Sequence, residues 1–410
     1  MIRGRTIICV ASNWEVDPTS KHHVMQLLAR DNHVLWVSYN GSRRPTTTVA
    51  DLGLAASVLR RVFRGPQRIT DTMLQFTPLV IPGAHAGPGA RLNRRMLTAQ
   101  IKRALHRLNP TADQPLQLWL FTPDVSFLAG RFNEEIVVYY CVDEHTEFSG
   151  YDPLAVRAAE NRLLDRADVV LTSSQALLEA KSALHPNVHL IRHGVDVEHF
   201  ARALNPRVPP PQEVADLPRP IVGFFGLIHH WIDIDLIAAV AKRLPQMHFV
   251  LIGHVVADVR ALRPLPNVSL LGRKPYRDLP AYCAAFDVAI LPFKGTELTR
   301  NANPIKLREY LAAGLPVVST PLPEVSRYRP EVVIAEHPDC FAKACAQAAR
   351  RSSIEDRIRR SKRVSGESWQ AVVDKIGPLV MKTPRVAPVQ PHGHPLSPHG
   401  QHGPRVGLLA

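Results

Sequence analysis

"NANPIKLREYLAAGLPVVST" (residues 301–320) frames one short helix and the strand that follows it. Asn303 suits the N-cap and Pro304 the first helical position, where its missing N–H costs nothing. Gly314 suits the left-handed position just past the helix, and Leu315-Pro316 bars any continuation. The apolar run that follows reads as a buried strand. A helix framed in this way turns unpaired N–H groups and a positive dipole end toward the carboxyl edge of the sheet, a natural seat for a diphosphate. Lys306 adds a full charge in the first turn. Glu309, three residues on, shares its face, and its carboxylate could take two hydrogen bonds from a ribose diol. The plain alternative is a capped helix with a surface Lys–Glu pair.

Working outward, the unit repeats. "IVGFFG" (221–226), "HFVLIG" (248–253), "VSLLG" (268–272) and "VAILPF" (288–293) are apolar runs separated by helical stretches near 232–244 and 278–285. The first two hundred residues show the same alternation, with strands at "TIICVAS", "HVLWVS", "LQLWLF", "IVVYYC", "VVLTSS" and "VHLIR" and helices near 20–30, 91–108, 153–166 and 174–184. Continuous apolar strands alternating with helices predict parallel sheets covered on both faces. Six prolines between 201 and 220 cannot continue a helix or a central strand, so the interdomain linker falls there. The expected α/β architecture is therefore two Rossmann-like, doubly wound domains facing across a cleft. They span 1–202 and 219–365, joined by a proline-rich linker, 203–218. A closing helix, 366–382, is placed to pack back on the first domain. Residues 383–410, rich in Pro, Gly and His, are expected to be a disordered tail.

The 410 residues are 45% apolar and 21% charged, as in a globular protein of about two domains. No run approaches the ~18 apolar residues of a membrane-spanning helix, and Ile7–Ala11 is too short for a signal sequence. Five scattered cysteines without a C-x-x-C pair suit reduced thiols in a cytoplasmic setting. The net charge of +14 is concentrated: residues 43–107 hold 12 Lys/Arg against two acids. Such blocks attract phosphorylated small molecules, anionic lipid surfaces or nucleic acid. Nucleic acid is disfavoured because stacking aromatics are not interleaved with the charge. The helix at 91–109 sets Leu92, Met96, Leu97, Ile101, Leu105 and Leu108 on one stripe with arginines opposite. Such a helix either rests on an anionic membrane or turns its stripe to the core.

Four segments in register carry a resemblance. "ADVVLTSSQALLEA…VHLIRHGVDVEHF", "IVGFFGLIHHWIDIDLI", "NVSLLGRKPYRDLPAYCAAFDVAILPF" and "NPIKLREYLAAGLPVVST" resemble GT-B-fold glycosyltransferases of the retaining family 4 type (group 1). The likeness is strong over 165–320 and loose before it. It implies a nucleotide-sugar donor (UDP- or GDP-linked) as substrate in the cleft, with no other cofactor and no metal. It also implies transfer to a saccharide or lipid-linked acceptor in cell-surface polysaccharide synthesis, by a protein peripheral on the inner face of the membrane. Glu309 matches the second glutamate of the family's E-x(7)-E pattern, and Asn301 stands where the first is expected. The family's Arg/Lys pair after the second domain's first strand is replaced by Gly226-Leu227-Ile228-His229-His230. Phosphate neutralisation then falls to Lys306, Arg300 and the helix N-terminus, with His229 nearby. Arg273, Lys274 and Tyr276 stand where the family meets the nucleobase.

In the first domain, "YYCVDEHTEF" places Asp143 and His145 at a strand's carboxyl end, where they could position an acceptor hydroxyl or assist proton transfer. The first loop supplies Asn13, Trp14 and His22 on the acceptor side, and Ser20 reads as an N-cap. Asp233 and Asp235 form a D-x-D, but at a helix start acids favour the dipole, so the pair reads as structural. Two rivals stay open. One is a sugar-nucleotide epimerase of the same fold, and the other is a non-catalytic protein binding nucleic acid or membrane through its basic face.

Overall fold

A computed structural model describes residues 1–39, 49–82, 87–110, 113–148, 152–350 and 353–383. The expected disordered tail lies, beyond Thr383, outside the described residues. The first sheet contains β1 (Thr6–Ala11), β2 (His33–Ser38), β3 (Gln67–Thr70), β4 (Met73–Phe76), β5 (Leu116–Leu120), β6 (Ile136–Cys141), β7 (Val169–Thr172) and β8 (Val188–Leu190). Its order is β3-β4-β2-β1-β5-β6-β7-β8, parallel except for β3, which runs antiparallel to β4. The second sheet contains β9 (Ile221–Phe225), β10 (His248–Ile252), β11 (Val268–Gly272), β12 (Val288–Leu291), β13 (Val317–Ser319) and β14 (Val332–Ile334). All its pairings are parallel, in the order β11-β10-β9-β12-β13-β14.

Helices of the first sheet are α1 (Ser20–Leu28), α2 (Val49–Arg64), α3 (Gly87–Leu108), α4 (Pro153–Leu164) and α5 (Gln175–Ser182). The connection carries α6 (Val197–Ala201) and α7 (Gln212–Ala215). The second sheet has α8 (Ile234–Arg243), α9 (Leu279–Ala285), α10 (Glu297–Asn301), α11 (Ile305–Ala312), α12 (Pro323–Ser326), α13 (Pro338–Arg350) and α14 (Ile354–Arg363), and α15 (Trp369–Lys382) closes the described chain.

Strands without a polar face are buried on both sides: every side chain of β1, β6 and β9 is enclosed. β3 is the opposite case. Its side chains are all exposed, and its polar Gln67 and Arg68 blunt the open edge of the sheet. In both sheets the winding direction reverses beside the first strand, between β1 and β5 and between β9 and β12. The loops leaving those four strands diverge there and open a crevice, which is where such sheets bind ligands.

The last helix among the described residues belongs to the first sheet. Trp369, Val372, Val373, Ile376 and Val380 of α15 are buried among Ile7, Val24, Val34 and Trp36. The crossover is tight: a Cβ on Gly194 would lie 2.8 Å from the Trp369 nitrogen, so a side chain there would displace the incoming chain. Val195 N–H donates to the Glu367 carbonyl at 2.9 Å and pins the same crossing. The proline-rich connection is also anchored, because Glu213 on α7 accepts from Lys274 Nζ (2.5 Å) and the Tyr282 hydroxyl (2.6 Å).

Two local expectations need correction. The first-domain N-cap is Thr19 rather than Ser20, which is already helical and buried. On α3 the inward stripe holds Leu97, Ile101 and Leu108, but Leu92 is 49% exposed, so the stripe does not reach the start of the helix. Asp233 caps α8 by accepting from Leu236 N–H at 2.9 Å, which gives that acid a structural task.

Candidate active site

The crevice of the second sheet is built around Gly226, just past β9. Its φ is +141°, and a Cβ there would fall 1.8 Å from Cε of Lys306. The lysine stem therefore lies directly over the glycine backbone, a path only glycine leaves open. Lys306 is in the first turn of α11, and Glu309 lies one turn on, 5% exposed. Burial lowers the lysine's proton affinity, countered by Glu309 and then Asp17. Burial pushes the Glu309 carboxyl up to about 7, against the pull of Lys306. Each group lowers the cost of charging the other in a partly dry pocket.

The start of α11 differs from expectation in a way that matters. Pro304 occupies the N-cap and helical residues begin at Ile305. Asn303 does not cap the helix, because its carboxamide is engaged on both ends. Its Nδ2 donates to the Ser173 carbonyl at 2.6 Å, and its Oδ1 accepts from Arg308 at 2.7 Å. The helix has no side-chain cap, so its first N–H groups face the crevice with the dipole unopposed. Arg308, fully buried, also pairs with Glu367 at 2.8 Å and lies over the Tyr328 ring. Gly314, with φ +77°, ends the helix as expected.

The other donor-side candidates fall at different distances from that centre. Asn301 ends α10, and its Nδ2 bonds back to the Glu297 carbonyl at 2.8 Å. Arg300, on the same helix, is exposed and pairs with Glu297. His229 stacks on Trp231 at 4.2 Å, and burial followed by His230 lowers its pKa, so it stands as a neutral imidazole. Tyr276 stacks on His199 at 4.7 Å, and its buried hydroxyl makes no hydrogen bond among the described residues. Glu309 is the first charge raising its pKa after burial itself, which places the phenol near the carboxylate. The Lys274 side chain is held by Glu213, whereas Arg273 reaches across the cleft to Asp17 at 2.8 Å.

Across the cleft, Asp143 follows β6, and its neighbour Val142 is linked through Ser173 to the residue pair that precedes α11. Ser173 Oγ donates to the Val142 carbonyl at 2.8 Å, and the Ser173 carbonyl receives Asn303. His145 opens the next turn, and its Nε2 is buried with no hydrogen-bond partner among the described residues. Burial lowers its pKa, with Asp143 the leading counterweight. The intervening Glu144 is bound to Lys181 at 3.0 Å, within a buried group that includes Glu160 and Tyr139. It is a framework residue.

The first loop divides. His22 is 2% exposed, packed against Trp14 and Trp36, with Nδ1 accepting the Thr19 N–H at 3.1 Å. The expectation that it faces an acceptor is therefore corrected. A residue at the third helical position points back at its own cap, and the apolar sheet face below draws the ring inward. Trp14 is half-buried on the same cluster, and Asn13 Oδ1 accepts the Glu15 N–H. Lys21 was missed by the sequence reading. It lines a cavity together with Asp143 and His145, and Asp143 is the main group favouring its charge. The signal was present, since "SKHH" opens the first helix after β1. Glu324 was also missed. It is 2% exposed, takes Arg192 at 2.7 Å and the Gln175 N–H at 2.8 Å, and so ties the second domain to the first. Among the described residues no group of three His, Cys, Asp or Glu side chains is arranged for a metal ion.

Residues 219–351 match the family profile described as Glycosyl transferases group 1. The second domain belongs to that family. A Bacillus subtilis (strain 168) protein, TuaH, named as a teichuronic acid biosynthesis glycosyltransferase, is 29% identical to this chain over 269 residues, 58% of this chain and 67% of that protein. Among solved structures, sucrose-phosphate synthase from Thermosynechococcus elongatus superposes with a TM-score of 0.64 at 16% identity, covering 92% of this chain and 98% of that one. Anabaena HepE in complex with UDP and glucose gives a TM-score of 0.63 at 15% identity, covering 90% and 98%. The group 1 domain and its partner domain thus adopt the GT-B fold. No helix among the described residues is long and apolar enough to cross a membrane.

Proposed function

We propose that this protein transfers a sugar, with retention and without a metal, from a UDP- or GDP-linked donor to an acceptor hydroxyl. The observation that carries the reading is the uncapped start of α11, with Lys306 laid over Gly226 and Glu309 one turn on. The diphosphate would sit on the free N–H groups beside Lys306, and the ribose diol on Glu309. As the glycosidic bond breaks, negative charge grows on the diphosphate. A fixed ammonium and an aligned helix dipole stabilise that charge without reorganising. The leaving diphosphate then takes the acceptor's proton, and Asp143 and His145 orient the acceptor. Arg300, Asn301 and His229 are assigned to the donor sugar and phosphates, Tyr276 and the backbone at Arg273 and Lys274 to the nucleobase, and Asn13 and Trp14 to the acceptor. The UDP and glucose bound to HepE and the teichuronic acid role in the TuaH name support a UDP-sugar and cell-surface polysaccharide synthesis.

The test is a panel of nucleotide-sugars followed together by thermal shift, nucleotide diphosphate release and product anomer. A shift with one donor, diphosphate release that depends on acceptor and a retained anomer are expected. Conversion of the donor without an acceptor would favour the epimerase. Absence of a shift with every donor would remove the sugar-nucleotide reading.

A further inference from the structure

The first domain contains a cavity of about 750 Å³ whose far end is the acceptor side of the site just described. The size lies within the range of sites that enclose whole small molecules. One wall is the inner face of α2, with Val58 and Val62, and another is the segment after β4, which includes Leu79 and Ile81. Side chains of this kind offer nothing to sugar hydroxyls, which would lose their water without replacement if buried there. The charged and titratable groups among the lining residues, Lys21, Asp124, Asp143 and His145, lie close enough to act on one another.

The cavity opens through apolar side chains that face solvent. Leu59, Leu79 and Ile81 line the cavity, yet they are 47%, 45% and 42% exposed. Phe63, one turn beyond Leu59 on α2, is 85% exposed. This rim is built rather than frayed. Asn93 of α3 exchanges two hydrogen bonds with the Ile81 backbone, at 2.7 and 2.8 Å, and Gln100 does the same for Leu79 at 2.9 Å. Leu92 beside Asn93 is also exposed, and so are Arg60, next to Leu59 on α2, and Arg91 and Arg95, near Leu92 on α3. An apolar mouth with exposed arginines on the two helices that supply or brace its rim matches the interface of an anionic bilayer, where apolar groups enter the lipid and arginines meet the headgroups.

We infer that this cavity holds the aliphatic chain of a membrane-lipid-linked acceptor, with its head group delivered to Asp143 and Lys21. The inference rests on the transfer reading above for the role of that head group, but the cavity's affinity for a chain can be measured alone. Full-length protein is titrated with butyl, octyl and dodecyl phosphate below their micelle concentrations, and nucleotide-sugar thermal shift is followed in parallel. Affinity should rise with chain length, by up to about fourfold per buried methylene. Val62→Trp, which fills the cavity, should weaken dodecyl phosphate binding at least tenfold and leave the nucleotide-sugar shift unchanged. Leu79→Gln, on the rim, serves as the second variant, and both are checked for an unchanged melting profile. The protein should also float with anionic but not neutral vesicles, and Phe63→Glu should abolish that. Affinity independent of chain length, or unaffected by both cavity variants, would overturn the proposal even where nucleotide-sugars bind. Chain-length dependence without any nucleotide-sugar shift would uphold the cavity and remove the transfer reading instead.

Discussion

Two side chains one turn apart carry most of the proposed chemistry, and they invite different measurements. Lys306→Ala removes a charge whose value grows as the diphosphate leaves. The expected outcome is a fall in kcat of about 10²–10³, with a much smaller rise in donor Kd. An equal loss in both would assign Lys306 to binding alone. Glu309 gives a pH signature. Burial raises its carboxyl from the ordinary 4.5 to about 7, so between those values the folded chain keeps a proton that the unfolded chain has lost. Stability attributable to this group therefore falls as pH rises through that window and stays low above it. Glu309→Gln should raise the melting temperature relative to wild type at pH 8, with little difference at pH 4.5, and it should weaken donor binding at pH 8. A melting difference of the same size at both pH values would refute the assignment. Asn303 shows the limit of reading residues singly. The sequence offers a good N-cap beside Pro304, but Arg308, five positions on, draws the carboxamide away. That interaction depends on Glu367 and Tyr328, which are remote in sequence.

Helices and strands were legible where their patterns were long. The apolar runs of β1, β2, β6, β9, β10 and β12 have no polar residue in their interior, and only a parallel sheet covered on both faces accommodates so many. The strands not foreseen are short: β3 and β4 have four residues each and β14 has three, too few to show a period. α2 was not foreseen either, because its apolar face lines a cavity and leaves Phe63 in solvent. The helix α11 was read correctly in place and polarity, and its ligand-facing end was misread by one position at the cap. At this scale Arg308 is the element's anchor. Arg308→Ala would leave Glu367 without its buried partner and empty space beside Tyr328. Because Glu367 is 29% exposed, a loss of about 3 kcal/mol is expected in urea unfolding, at the lower end of the cost of breaking a buried pair. A loss below about 1 kcal/mol, as for surface pairs, would show that the buried contacts are not coupled.

For the whole molecule, the two domains meet through contacts of unequal strength. Glu324 with Arg192 and Asn303 with Ser173 are largely enclosed contacts between the two domains. Arg273 with Asp17 also joins them, with both side chains more than half exposed, so it is worth little and is screened by salt. Asp17→Asn should leave the melting temperature nearly unchanged. It should enlarge the radius of gyration of the donor-free protein at low salt, and the difference should vanish near ~1 M salt. An identical radius at every salt concentration would show that the bridge does not hold the cleft. The helix α15 bears on a different question, the order in which the molecule comes into being. The first sheet lacks part of its core until Trp369 and its neighbours arrive, so a chain growing from its N-terminus completes the second domain before the first. Chain stopped after Gly366 should therefore contain a protease-resistant second domain attached to a first domain that binds hydrophobic dyes. The helix α15 thus seals a domain whose strands all precede the second sheet in the chain.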